Sequence, residues 1–258
     1  MADDLLYEVR EEAAYLTINR EARRNAISQE MMEAFHTCLR QADEDEKIRV
    51  VCITGAGDKA FCSGADLGAA LSTEGGTRMS GAERYASLLK EMVHFGKPLV
   101  ARVNGNCLAG GLGLMLACDI VIARRDAFFW TPEVNVGIFP MMVGALLMRH
   151  VGPKKTMEMV LTGRRYNAQE AEAMGLISRA VEPDRLDAEV EALIKNLAAK
   201  SPIGLRIGKE AFRSASEMPF DQAVDYLSQA LGRVASTEDA REGMTAFLEK
   251  REPRFTGK

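Results

Sequence analysis

Residues 99–103, Leu-Val-Ala-Arg-Val, run straight into Asn104-Gly-Asn-Cys-Leu-Ala-Gly-Gly-Leu-Gly113 and on through an apolar stretch that ends near Cys118. A brief, almost continuous apolar run closed by Asn-Gly is the pattern of a strand buried on both faces. The glycines that follow stand at the start of a helix expected over 112–118. Strand, glycine turn and helix in direct succession place the chain among α/β proteins. Such a turn aims unpaired N–H groups, reinforced by the helix dipole, at whatever lies beyond the strand's end. The same glycines, Gly110, Gly111 and Gly113, also serve a second reading, in which they only let the helix pack tightly on the sheet. GxGxxG spacing is absent, so the turn is no dinucleotide fingerprint.

Outward from this centre, residues 50–54 and 120–123 repeat the buried-strand pattern, the first closed by Gly55. Near the start, residues 5–10 and 14–19 alternate partly and flank Glu11-Glu12, which predicts a β-hairpin. After Ser28, a suitable N-cap, Met31, Met32, Phe35, Cys38 and Leu39 recur at helical spacing. Residues 67–80 are polar and Gly-rich, fitting a loop beside a pocket or an ordinary connection, and a helix is expected over 82–95. From Pro153 onward the pattern is helical, punctuated at Gly175, Pro183, Pro202 and Pro219, with residues 176–181 as the one strand. The expectation is an α/β core with a helical C-terminal extension, without an internal sequence repeat or low-complexity linker.

A chain of 258 residues with 47% hydrophobic residues can bury a substantial core. Its net charge of -4 comes from acidic and basic residues spread along the whole length, with no basic block to follow a phosphate backbone. Nucleic acid is therefore excluded as the main partner. The five cysteines lack CxxC pairing and neighbouring histidines at ligand spacing, so they are expected to be reduced core residues, with no metal site. Met1-Ala-Asp-Asp4 is acidic where a signal peptide is basic, and no apolar run approaches the ~18 residues of a membrane span. These features set the expectation of a cytoplasmic protein without membrane attachment.

Two further stretches carry chemical possibilities. Phe61-Cys-Ser-Gly-Ala-Asp66 places small residues where the chain leaves the sheet, and bare N–H groups there suit an anion or a polarised carbonyl as well as a plain tight turn. Glu133 follows Thr131-Pro132 amid Phe128, Phe129, Trp130, Val134 and Phe139. If buried there, its pKa rises towards the range useful for proton transfer; the competing reading is a surface glutamate beside a turn. His36, His94 and His150 stand singly and are read as solvated or core residues. No serine or cysteine occupies a G-x-S-x-G nucleophile elbow.

Taken in order, several segments resemble the enoyl-CoA hydratase/isomerase family, the crotonase superfamily. They are Ile18-Asn-Arg20 with Arg24-Asn-Ala-Ile27, Phe61-Cys-Ser-Gly-Ala-Asp66, Val103-Asn-Gly105 through Gly110-Gly111 to Ala117-Cys-Asp119, Pro132-Glu133, Leu161-Thr-Gly163 with Ala168, and Glu242-Gly-Met-Thr-Ala-Phe-Leu-Glu-Lys250. The resemblance implies a spiral of ββα units over residues 1–200, a helical trimerisation region over 201–258, and a homotrimer or dimer of trimers. It implies an oxyanion hole from the N–H groups of Ala65 and Gly110, and catalysis by Glu133. Arg24, Ala26, Ala65, Asp66, Leu67 and Gly111 fall where the family lines the CoA arm, and Phe247 and Lys250 where it meets the adenine. CoA enters as part of an acyl-CoA substrate, and no separate cofactor is expected.

The chain departs from the hydratase pattern at Gly113, where the family's first catalytic glutamate stands. One carboxylate suffices to move a double bond by shuttling a proton between C2 and C4, whereas the hydratase arrangement holds water between two. The expectation leans slightly to isomerisation, with hydration nearly level, unless Glu74, Glu83 or Glu91 enters the pocket. Rival readings are a non-catalytic acyl-CoA binder and a decarboxylase or C–C lyase. Met141 and Met142, after Phe139-Pro140, replace a Gly-rich family segment and suit either an adaptable acyl wall or core packing.

Overall fold

The computed structural model describes residues 4–65 and 81–258. Strands β1 (Leu5–Arg10) and β2 (Ala13–Ile18) form the expected antiparallel hairpin, in register from Leu5 opposite Ile18 to Arg10 opposite Ala13. Helix α1 (Gln29–Glu44) starts at Ser28, whose hydroxyl accepts the Met31 N–H at 3.0 Å, and buries Met31, Met32, Phe35, Cys38 and Leu39. Each such side chain contributes ~1.5–3 kcal/mol through its removal from water. Strands β3 (Val50–Gly55), β5 (Leu99–Val103) and β7 (Ile120–Arg124) follow in parallel, and β10 (Arg179–Val181) closes a six-stranded sheet in the order β1-β2-β3-β5-β7-β10. The apolar character of β3, β5 and β7 is thereby explained, since packed layers cover both of their faces.

A second sheet was not expected from the sequence. It is built of three-residue strands, β4 (Ala60–Cys62), β6 (Asn106–Leu108), β8 (Phe128–Trp130) and β9 (Arg165–Asn167), in that order, with β9 antiparallel to β8. Three of the long strands, β3, β5 and β7, therefore each lead into a short one. β3–β4 is followed, beyond residue 80, by α2 (Gly81–His94); β5–β6 leads to α3 (Gly110–Leu116); β7–β8 leads through a 3-10 turn (Glu133–Val136) to α4 (Met141–His150). The chain has no sequence repeat, yet it repeats in structure, because the three units share geometry rather than residues.

Helices α5 (Gly152–Thr162), α6 (Ala168–Ala173) and α7 (Leu186–Ala198) complete the body. The strand expected over 176–181 is corrected to Arg179–Val181: Leu176 and Ile177 are buried in a turn, their N–H groups bonded to the Ala171 carbonyl. Helices α8 (Pro202–Ala215), α9 (Phe220–Ala235) and α10 (Glu238–Glu249) follow, leaving Phe212, Phe220, Leu231, Phe247 and Leu248 exposed. Among the described residues no helix is long and apolar enough to cross a membrane.

Candidate active site

Ala65, Gly110 and Glu133 stand just beyond the C-terminal ends of three neighbouring parallel strands, β4, β6 and β8. Adjacent strand ends converge without help from sequence proximity, so residues far apart in the chain share one corner. Cys62 pairs with Cys107, and Leu108 with Trp130. The pairing continues into the turns, where the Ala109 N–H donates to the Trp130 carbonyl at 2.8 Å.

The first turn is held from below. Asn25 and Asn104, both buried, bracket the segment between β3 and β4: Asn25 Nδ2 donates to the Ala60 carbonyl at 2.7 Å, and Asn104 Nδ2 to the Gly57 carbonyl at 2.8 Å. The Ile27 N–H then donates to the Gly64 carbonyl at 2.8 Å, forming a bridge that leaves the N–H of Ala65 itself outside the pairing. Gly64 has φ +86°, and a Cβ there would lie 2.6 Å from the Ala109 Cβ and 3.0 Å from the Gly110 nitrogen. Only glycine permits that approach, which seats the two turns side by side.

Ala109 adopts φ +49° and ψ −126°, a backbone state that costs a non-glycine residue ~1–3 kcal/mol and is held by the surrounding contacts. It turns the chain into α3, whose first N–H groups have no partner within the helix. Gly111 packs on β4 so closely that an added Cβ would run into the Cys62 carbonyl. The resulting corner can receive developing negative charge on a carbonyl oxygen, an arrangement worth ~3 kcal/mol per donor in acyl-transfer enzymes. Burial pushes the adjacent Cys62 thiol up to about 12, so it is not a thiolate nucleophile near neutral pH.

Glu133 is 9% exposed, and its Oε2 is buried without a hydrogen-bond partner among the described residues. Desolvation raises its pKa, opposed in part by its own backbone N–H. The buried reading of this glutamate therefore holds over the surface one. Its turn is pinned to α5, with Thr131 Oγ1 donating to the Met159 carbonyl at 3.0 Å and Trp130 Nε1 to the Gly163 carbonyl at 2.6 Å.

Tyr85, on α2, lies against α3. Its hydroxyl donates to the Gly110 carbonyl, and a Cβ at Gly113 would collide with that hydroxyl and lie 3.1 Å from Cζ. Burial above all drives its pKa well up, so the phenol stays protonated. Sequence reading missed Tyr85 because it falls at core spacing with Leu88, Leu89 and Met92. The available signal was Gly113 itself: a glycine inside a helix costs ~1 kcal/mol relative to alanine and marks a close approach.

The remaining candidates are distributed as follows. Arg24 is exposed, its carbonyl accepting the Ser63 N–H at 3.1 Å, and Ala26 is buried beside it. Glu83 is exposed, and Glu91 is engaged by His36 of α1, so neither joins Glu133. Asp66, Leu67 and Glu74 lie outside the described residues. Phe247 and Lys250 are exposed at the end of α10, which packs on α8 and α9, so the single chain does not bring them to the corner. Met141 is exposed and Met142 half-buried, which favours a wall or an interface for Met141 over core packing.

A family model described as enoyl-CoA hydratase/isomerase matches residues 8–258. The chain belongs to the enoyl-CoA hydratase/isomerase family. It is 34% identical over 260 residues to a crotonyl-CoA hydratase of Syntrophomonas wolfei, covering 99% of each chain. It superposes on the crystal structure of an enoyl-CoA hydratase from Bacillus anthracis with a TM-score of 0.92 and 31% identity, covering 99% of this chain and 100% of that one. Against the enoyl-CoA hydratase of Mycobacterium smegmatis the TM-score is 0.90 at 33% identity, with 98% of each chain covered. The α/β spiral and helical C-terminal region described above are thus the crotonase fold of this family.

Proposed function

We propose that the protein is a one-carboxylate enzyme acting on an enoyl-CoA thioester, with Glu133 as the acid–base group. The observation that carries this reading is the buried Oε2 of Glu133, without a partner among the described residues and with an upward-shifted pKa, beside two turns rich in backbone N–H groups. Glu133 removes a proton from C2 of a 3-enoyl-CoA, and the electron pair moves into the thioester, placing negative charge on its oxygen. The N–H groups of Ala65 and Gly110 receive that charge. The same carboxyl then returns the proton to C4 as the electrons flow back, leaving a 2-enoyl-CoA. No other reactant is consumed. Arg24, Ala26, Asp66, Leu67 and Gly111 serve the CoA arm, and Phe247 and Lys250 serve it from a neighbouring copy in a trimer.

Hydration of a 2-enoyl-CoA is the second reading, favoured by the hydratase names of the relatives. In it, water adds to C3 and Glu133 manages the proton destined for C2. Turnover on a trans-3-enoyl-CoA and a trans-2-enoyl-CoA, with products separated by chromatography, distinguishes the two. Conversion of the first to its 2-enoyl isomer, without 3-hydroxyacyl-CoA from the second, is the expected result. Formation of 3-hydroxyacyl-CoA as the main product moves the assignment to hydration, and no turnover on either ester rejects both.

A further inference from the structure

We propose that Tyr85 is the positioning and reaction-selecting residue of this site: it fills the volume that a side chain at position 113 would enter, and it fixes the Gly110 turn through its hydroxyl. This rests on the reading of Glu133 as the single acid–base group. Three observations converge on it. The phenolic O–H donates to the Gly110 carbonyl, at the residue whose N–H faces the enolate in the proposed reaction. An added Cβ at Gly110 would lie 3.5 Å from both Cζ and the hydroxyl of Tyr85, so the ring edge abuts the turn itself. At Gly113 the added Cβ would meet the hydroxyl head-on and would also lie 3.4 Å from Leu89 Cδ1.

Tyr85 is only 7% exposed, anchored in α2 between the buried Leu88 and Leu89 and the α3 turn, so it cannot simply swing aside. Tyrosine and glycine thus form a reciprocal pair. With Tyr85 in place, position 113 accepts no side chain, and a second carboxylate cannot reach the corner from α3. The same filled volume keeps a nucleophilic water from being held opposite Glu133. A protonated phenol whose one hydrogen is donated to the Gly110 carbonyl adds no negative charge beside the enolate, as a second carboxylate would. The enolate formed from a 3-enoyl-CoA therefore takes its proton back at C4 from Glu133, and among the described residues no second carboxylate stands ready to activate water for addition to C3 of the 2-enoyl product.

The contact and its consequence are tested separately with Tyr85→Phe, Gly113→Ala, the two combined, and a Tyr85→Leu/Gly113→Glu double variant. Melting temperatures, which require no substrate, read the contact. Gly113→Ala is expected to lower the melting temperature in the wild-type background and to lower it by less alongside Tyr85→Phe, because the colliding oxygen is gone. Equal losses in both backgrounds overturn the contact. Turnover reads the consequence. Tyr85→Phe is expected to reduce kcat on the 3-enoyl-CoA by ~10-fold with KM within about two-fold, the effect of one lost hydrogen bond at a turn used only as charge develops. The Tyr85→Leu/Gly113→Glu variant is expected to raise the ratio of hydration to isomerisation by at least ~10-fold over wild type, whereas Gly113→Glu alone is expected to be unstable and to gain nothing. An unchanged product ratio in the double variant, or unchanged kcat in Tyr85→Phe, overturns the proposal. Failure of wild type on both esters rejects the enoyl-CoA reading while the melting temperatures still judge the contact.

Discussion

Two buried carboxylates in this molecule have opposite fates. Asp239, 1% exposed in the first turn of α10, accepts the Ser201 hydroxyl at 2.7 Å, the Thr256 N–H at 2.7 Å and the Gly257 N–H at 3.1 Å. Glu133 is almost as buried but has one oxygen without a partner among the described residues, and desolvation pushes its pKa up. Burial alone therefore says little about function. A carboxylate whose acceptor sites are filled holds structure together, here the C-terminal tail against α8 and α10, whereas an underfilled one remains ready to exchange a proton.

The two carboxylates differ most in turnover. Glu133→Gln keeps the shape and removes the exchangeable proton, so kcat on the preferred enoyl-CoA is expected to fall by ~10²–10⁴-fold, with KM little changed. Steady-state kinetics with chromatographic product analysis measures this. Retention of more than a tenth of the wild-type kcat would give the proton chemistry to another group. Asp239→Asn, in the same assay, is expected to leave turnover per folded molecule near the wild-type value.

The order reverses when stability is measured. Asp239→Ala strands the Ser201 hydroxyl and two backbone N–H groups, and is expected to cost about 3 kcal/mol, a drop in melting temperature of ~6–12 °C for a chain of this size. Denaturant titration or calorimetry reads it, and a loss below ~1 kcal/mol would mean that the tail does not depend on this carboxylate. Glu133→Gln is expected to have the opposite sign, raising the melting temperature by a few degrees at neutral pH. Its folded-state pKa lies above the unfolded value, so between the two the folded chain holds more proton than the unfolded chain. Stability from this group is complete below the unfolded pKa and is lost as pH rises through the folded one. The gap between wild type and Glu133→Gln should accordingly close on acidification, and a gap independent of pH would exclude desolvation as its cause.

What could be read from the sequence follows the length of each element. Strands of five or six residues such as β3 and β5, and helix α1 with its Ser28 cap, carry enough apolar positions for their period to be legible. Strands β4, β6, β8 and β9 are three residues each, too short to display a period, so the sheet whose ends gather Ala65, Gly110 and Glu133 was invisible. The three residues were found through turn chemistry and family resemblance, while their convergence needed the fold. Tyr85 and Asp239 show a second limit. Each looks ordinary in its helix, and its importance comes from groups far away in the chain, Gly113 in one case and Ser201 with Thr256 in the other.

The finest test concerns how firmly Glu133 is held. Trp130 and Thr131 tie the end of β8 to the carbonyls of Gly163, just past α5, and Met159 on α5, and the Arg165 guanidinium lies 4.5 Å from the centre of the Trp130 ring. These bonds act on the backbone that carries the carboxylate and not on the carboxylate itself. Trp130→Phe removes one N–H donor and leaves the buried Gly163 carbonyl short of a partner, a cost of ~1 kcal/mol, or ~2–4 °C in melting temperature. The companion bond from Thr131 still fixes the turn, so kcat should fall by less than about 3-fold. Combined with Thr131→Val, the loss in kcat should exceed the product of the single effects, because only then is the turn free of α5. Simple multiplication of the two effects would mean that the 3-10 turn positions Glu133 by itself, and that the ties to α5 serve stability alone.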